Sequence, residues 1–245
     1  MAQRTYDAPL SDVYGEAAIT LSSTVPGYIN VNPGYRGVKV YCASDWKMLL
    51  TPRIQSVLYY TAATAAYADY TSEAIDKSTT THVPLDKMLA DDILYVGCHT
   101  PFLGLWFDVG TSNKNAVTAT LDVEYWKDAT PDAWADVSGD SDGTDSGGAT
   151  LAQDGVYVWT LPTDWIQTQI DGKTMYWIRF KPSATLSDTI DVQQIRAVHP
   201  YTNYEWMEGG MVESFNYDAE EVGGLQYLSV AGTPTLHVNW LRYAG

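Results

Sequence analysis

Four aspartates, Asp136, Asp140, Asp142 and Asp145, fall within ten consecutive positions of this 245-residue chain. Hard carboxylate oxygens gathered on a loop are what calcium takes as ligands. The spacing departs from a calcium-loop template begun at Asp140. Thr144 stands at its third acidic position, no glycine stands at the sixth place, and Leu151 falls where the closing glutamate belongs. Gly147 and Gly148 follow directly and supply the positive backbone angles of tight turns. The tract from Ser138 to Thr150 therefore reads as a long solvated turn, and no metal ligand is assigned.

The other residues able to do chemistry are scattered. His82, His99, His199 and His237 stand singly, and Cys42 and Cys98 are far from metal-clip spacing. Both cysteines read as free thiols. The chain lacks a nucleophile elbow, a phosphate-binding glycine loop with its lysine, a dinucleotide glycine fingerprint and a His-Glu-x-x-His pair. Among 30 acidic residues, no two stand out as an acid and a base with opposed surroundings. No catalytic residue, cofactor or metal is expected, and the chain reads as a non-enzyme.

Those 30 acidic residues face 14 basic ones, a formal net charge of −16. A surface of that sign repels phosphate backbones, which argues against nucleic-acid partners. No run of about 18 apolar residues and no apolar leader is visible, so neither a membrane span nor a signal peptide is expected. Nine Trp and 18 Tyr against four Phe form a second bias. Such side chains join a large apolar body to a polar handle, which suits half-buried sheet faces, subunit contacts and sugar-binding platforms alike.

The elements that must position these residues are strands. Val38–Tyr41, Ile54–Thr61, Leu103–Val109, Val117–Trp126, Val156–Leu161, Met175–Phe180 and Ile190–Val198 are rich in β-branched and aromatic residues and bounded by Gly, Asn, Asp and Pro. Helical signals are confined to a turn or two near Pro84–Ala90 and a capped turn after Thr163-Asp164. The pattern predicts an all-β chain, an antiparallel β-sandwich of jelly-roll type. Residues 1–50 read as an extended arm and first strand, 51–200 as the sandwich and 201–245 as an extension. That extension ends in a hairpin of Leu225–Val230 and Thr235–Leu241. Tyr28 and Tyr35 in the arm, with Trp240 in the hairpin, are the residues expected at subunit contacts.

Within 51–200 the chain repeats itself. Tyr59-Tyr60 followed by Tyr67-Ala68-Asp69-Tyr70-Thr71 is echoed by Tyr125-Trp126 followed by Trp134-Ala135-Asp136-Val137-Ser138. Farther on, His82-Val83-Pro84-Leu85 and Leu94-Tyr95-Val96-Gly97 are echoed by Val158-Trp159-Thr160-Leu161 and Met175-Tyr176-Trp177-Ile178. Chance similarity of aromatic-rich strands is the competing account. A duplicated unit with one apolar face would pack against its copy face to face. On that reading Tyr60, Tyr95, Trp126 and Trp177 are core aromatics facing inward between the sheets.

One resemblance extends over about 55–200. Ala68-Asp69-Tyr70-Thr71-Ser72-Glu73-Ala74, Asp92-Ile93-Leu94-Tyr95-Val96-Gly97 with Pro101-Phe102, Glu124-Tyr125-Trp126, Trp134, Ser141-Asp142-Gly143-Thr144, Pro162-Thr163-Asp164-Trp165 and Tyr176-Trp177-Ile178-Arg179 come in this order. The series resembles a β-sandwich module of tailed-bacteriophage virion proteins. Where that module shows a tight Tyr-Trp-Asn-Gly turn, this chain has Tyr125-Trp126-Lys127-Asp128-Ala129-Thr130-Pro131. The resemblance implies a non-enzymatic virion component, on the capsid surface in preference to the tail. A capsid decoration or cement protein, homo-oligomeric and bound to the major capsid protein or other virion proteins, is the expectation. The alternative is a carbohydrate- or receptor-recognising module of a tail, baseplate or fibre, with exposed Trp or Tyr stacking on sugar rings.

Overall fold

A computed structural model describes residues 10–24, 27–30, 37–76, 78, 80–127, 134–200, 204–216 and 222–243. The chain divides into two compact units, one made of residues 1–53 with 201–245 and the other of 54–200. Four strands open the first, terminal unit: β1 (Leu10–Thr20), β2 (Gly27–Asn30), β3 (Gly37–Cys42) and β4 (Trp46–Pro52).

The central unit follows. It contains β5 (Ser56–Thr61), β6 (Ala66–Asp69), the short helix α1 (Thr71–Ile75), β7 (Val83–Pro84), β8 (Ile93–Cys98), β9 (Gly104–Asp108), β10 (Leu121–Trp126) and β11 (Trp134–Asp136). Then come β12 (Ser138–Asp142), β13 (Gly155–Thr160), β14 (Thr168–Ile170), β15 (Lys173–Pro182), β16 (Asp191–Val192) and β17 (Gln194–Val198). Seven of these strands form one sheet, ordered β11-β10-β15-β8-β5-β6, with β14 paired to β15. A second sheet runs β12-β13-β9-β17, and β7 and β16 make a small separate pair. Alternation puts Val57, Leu94, Val96, Val123, Ile178 and Phe180 on the inner face of the larger sheet. They pack on Leu105, Phe107, Tyr157, Trp159 and Ile195 of the smaller one. The central unit is thus an antiparallel β-sandwich.

The echoed segments are related differently from the expectation. Tyr60 pairs with Tyr67 and Leu58 with Asp69, just as Trp126 pairs with Trp134 and Glu124 with Asp136. The two hairpins match residue for residue. They lie in one sheet, however, on either side of the adjacent strands β8 and β15, and do not face each other across the core. The later echoes fail. Val83-Pro84 belongs to the small sheet, whereas Val158–Thr160 lies in the four-stranded one. Tyr95 and Tyr176 occupy opposite sheet faces, because an offset of one residue reverses the side.

Local signals explain further differences. The helix forms at Thr71–Ile75, where Asp69 Oδ1 accepts the Thr71 N–H at 2.9 Å, and not at Pro84–Ala90 or after Asp164. The first five residues of the Ser138–Thr150 tract are strand β12, exposed yet paired to β13, so the turn begins only after Asp142.

After residue 200 the chain returns to the terminal unit with β18 (Glu205–Met207), β19 (Val212–Asn216), β20 (Val222–Ser229) and β21 (Thr235–Tyr243). The sheets here are β1-β21-β3-β19 and β18-β4-β20-β2. Val38, Val40, Cys42, Leu236 and Val238 from the first meet Trp46, Met48, Leu225 and Tyr227 from the second. Two expectations are corrected by this arrangement. Residues 1–50 and 201–245 are not separate arm and extension, because β1 pairs along its length with β21 and β2 pairs with β20. Nor do β20 and β21 form a hairpin: each belongs to a different sheet, and Leu225 and Leu236 supply the same core from opposite sides.

Candidate functional site: an aromatic face on the central sheet

An open sheet face turned to water ordinarily carries polar side chains. The outer face of the seven-stranded sheet does not. Asp136, Glu124, Arg179, Tyr95, Leu58 and Asp69 are successive register partners from β11 to β6, one line across six strands. On one side of that line lie Trp134, Trp126 and Trp177, and on the other Ile93, Tyr60 and Tyr67.

The rings are in mutual contact. Tyr60 and Tyr67 have centroids 4.9 Å apart, Tyr67 and Tyr95 6.0 Å, Tyr95 and Trp134 5.8 Å, and Trp134 and Trp126 5.4 Å. Trp177 and Leu58 are fully buried at the base, joined by Ile170 and Met175 from the β14–β15 hairpin. The Trp177 indole is held by Nε1–H donation to the Thr168 carbonyl at 3.1 Å. It lies over Gly97, where a Cβ would come within 2.7 Å of the ring, so any larger residue at this strand position would have to displace the indole. Tyr60, Trp126 and Trp134 are half-buried, and Tyr67 is 41% exposed.

Most charges on this face are paired. Arg179 grips the buried Glu124 through both carboxylate oxygens, at 2.7 and 2.8 Å, and its guanidinium lies 4.4 Å from the Trp134 ring centre. Lys181 adds contacts to Glu124 at 2.6 Å and Asp122 at 3.3 Å, and Lys173 meets Asp69 at 2.6 Å. Burial alone would raise the Glu124 pKa, but the hydrogen bonds and charges of Arg179 and Lys181 outweigh it and hold the carboxyl below its ordinary value. Burial pushes the Tyr95 hydroxyl up to about 12.

All four expected core aromatics, Tyr60, Tyr95, Trp126 and Trp177, lie on this outer face and not between the sheets; Tyr95 and Trp177 are nonetheless buried, in a second hydrophobic cluster, whereas Tyr60 and Trp126 are only half-buried. Period-two alternation groups them correctly but leaves the choice of face to their neighbours, and Val57, Tyr59, Val96, Tyr125 and Ile178 take the inner side. Glu124, Arg179 and Lys181 were missed by the sequence reading. Their signal was present in Asp122-x-Glu124-x-Trp126 and Trp177-x-Arg179-x-Lys181, strands whose second face alternates charge with aromatic.

The expected contact residues fare differently. Tyr28 is half-buried, with the Thr51 hydroxyl donating to its oxygen at 3.2 Å and its ring covering Gly224. Trp240 packs against the terminal core. Tyr35 and residues 128–131 lie outside the described residues. Among the described residues, the exposed large apolar side chains of the terminal unit are instead Trp206 on β18, Met211 and Val212 at β19, Tyr41, which pairs with Val212, and Val230 after β20. Both β18 and β19 are last in their sheets among the described residues.

The tract aspartates each serve a local bond. Asp140 accepts the Tyr157 hydroxyl at 2.6 Å, Asp142 accepts the Thr144 N–H at 2.8 Å, and Asp145 accepts the Gly148 N–H at 3.3 Å. Among the described residues no three His, Cys, Asp or Glu side chains gather as metal ligands. No helix among them is long and apolar enough to cross a membrane. Compared with known proteins, the chain matches no protein-family model and no curated protein.

Proposed function

We propose that this chain is a non-enzymatic structural protein of a tailed-phage virion, a homo-oligomeric capsid decoration protein that bridges major capsid subunits. The observation that carries this reading is the exposed apolar edge of the terminal unit. Trp206 and Val212 are 55% and 54% exposed on the outermost strands of two sheets. Edge strands offer unpaired N–H and C=O groups to another chain, and soluble proteins ordinarily blunt them with charge. An aromatic and an aliphatic anchor beside such edges suit strand addition to a neighbouring subunit, with affinity from backbone pairing and buried area. The resemblance over 55–200 and the all-β architecture point the same way.

Particles lacking the protein are then expected to assemble but to release DNA at lower temperature. Purified protein restores them by mass action, since a ligand that binds only the intact shell stabilises it. The double variant Trp206→Ala, Val212→Asp is expected to fold and to fail in rescue. Particles of unchanged robustness that no longer adsorb to host cells would move the assignment to receptor recognition.

A further inference from the structure

We propose that the outer face of the central sheet is a binding platform for a neutral oligosaccharide lying across the strands, its rings stacked on Tyr67, Tyr60, Trp134 and Trp126. This site is separate from the terminal edges and stands independently of where the protein sits on a particle.

Three observations carry the inference. The first is exposure against alternation: four aromatic side chains remain half-buried or exposed on the side of the strands that water should claim. Rings with an apolar face and a polar tip suit the apolar C–H faces and peripheral hydroxyls of a sugar. Geometry is the second. Tyr67 lies on β6 and Trp134 on β11, opposite ends of a six-strand path. Those strands are roughly 24 Å apart at about 4.8 Å per strand. The rings, however, lean together over Tyr95, at 6.0 Å from Tyr67 and 5.8 Å from Trp134, so Tyr67 and Trp134 are at most about 12 Å apart, room for two or three linked sugar rings. Its rings are braced on one another and on the buried Leu58 and Trp177, so little freedom is lost on binding.

Charge is the third. Glu124, Arg179, Lys181, Asp122, Lys173 and Asp69 are all engaged in pairs on this face. A charged ligand would have to break one of these pairs and leave a partner uncompensated. A neutral polyhydroxylated chain can donate to the carboxylates and accept from the cations while the pairs persist. The same local balance disfavours a strongly charged peptide as occupant.

The test is a printed array of neutral and acidic oligosaccharides probed with the full chain. Intrinsic tryptophan fluorescence titration with the neutral oligosaccharides bound on the array follows. Tyr67→Ala and Trp134→Ala are compared with wild type, and thermal melting monitors the fold. Because Tyr67 is on an edge strand and exposed, its replacement leaves the packing beneath intact even if Trp134→Ala loosens it. The expected result is a preference for neutral glycans, a fluorescence change on binding, and affinity weaker by roughly ten-fold in Tyr67→Ala. No glycan bound, a preference for sialylated or sulfated glycans, or equal affinity in Tyr67→Ala would overturn the proposal. So would self-association that both variants abolish without any glycan bound, since the face would then be a subunit contact.

Discussion

Asp92 is buried, yet its carboxylate is satisfied three times, by the Ala62 N–H at 2.9 Å, the Leu89 N–H at 3.0 Å and the Tyr59 hydroxyl at 2.9 Å. Burial opposes its ionisation, but these donors prevail and hold its pKa below the ordinary value. Removing the acceptor strands three donors at once. Asp92→Ala is therefore expected to cost about 3 kcal/mol in chemical denaturation, and Asp92→Asn less. His199 moves stability in a higher pH range. Burial lowers its pKa to about 4 from 6.5, opposed by a hydrogen bond to the Pro101 carbonyl. Between those values the unfolded chain binds the proton and the folded chain does not. Stability is thus complete above pH 6.5 and falls by about 3 kcal/mol as pH drops toward 4. Below that, Asp92 and Glu124, whose folded pKa values are lowered, add a second loss as they protonate. In His199→Asn the first limb of a pH–stability curve should flatten while the second remains.

At the level of strands, the outer-face arrangement orders the aromatic truncations. Trp177 is fully buried and hydrogen-bonded, so Trp177→Ala is expected to cost 3 to 5 kcal/mol, as large aromatic deletions in cores do. Trp126 is half-buried and touches Trp134 edge-on, so its truncation should cost only about 1 kcal/mol. Gly97→Ala should cost about 1 to 3 kcal/mol, because the new methyl meets an indole that its own hydrogen bond keeps in place. Equal melting of the Trp126 and Trp177 variants would contradict this ordering. Strand positions were legible in the sequence because alternation is local: Val38-Lys39-Val40-Tyr41 announces itself without knowledge of its partners. The buried Gln194–Val198 was also marked by the β-branched Ile190, Val192, Ile195 and Val198 around it, although its face was not. Which face each strand turns inward, and that β20 and β21 part into separate sheets, depends on contacts close to two hundred positions apart in some cases. Val38 with Trp240 and Leu49 with Gln226 are such pairs. Glu124 and Arg179, 55 residues apart, met only through strand register.

For the whole molecule, the two units differ in how the chain builds them. Every member of the two hydrophobic clusters of the central unit lies between Ile54 and Ala197. Expressed alone, residues 54–200 should fold cooperatively. The terminal unit has no such independence, since β1 relies on β21 and β2 on β20. Deleting residues 201–245 should leave slow amide exchange across β5, β8 and β15 while amides of β1–β4 exchange fast. Protection of β1–β4 in that truncation would show that they have partners other than those described.

The β1–β21 ladder also makes the polypeptide a nearly closed loop. Leu10 is the register partner of Tyr243, so whatever precedes the one and follows the other departs from a single spot on the terminal unit. Cargo fused directly before Leu10 or directly after Tyr243 would emerge at the same place and could be exchanged between the two positions without altering its address. A short linker could join the ends covalently, and the chain could be reopened at the exposed Gly147–Gly148 turn, whose residues sit at φ +68° and +87°. Exposed turns of this kind are where circular permutation succeeds. The rearranged protein should melt within a few degrees of the parent while presenting both of its new ends from the central unit.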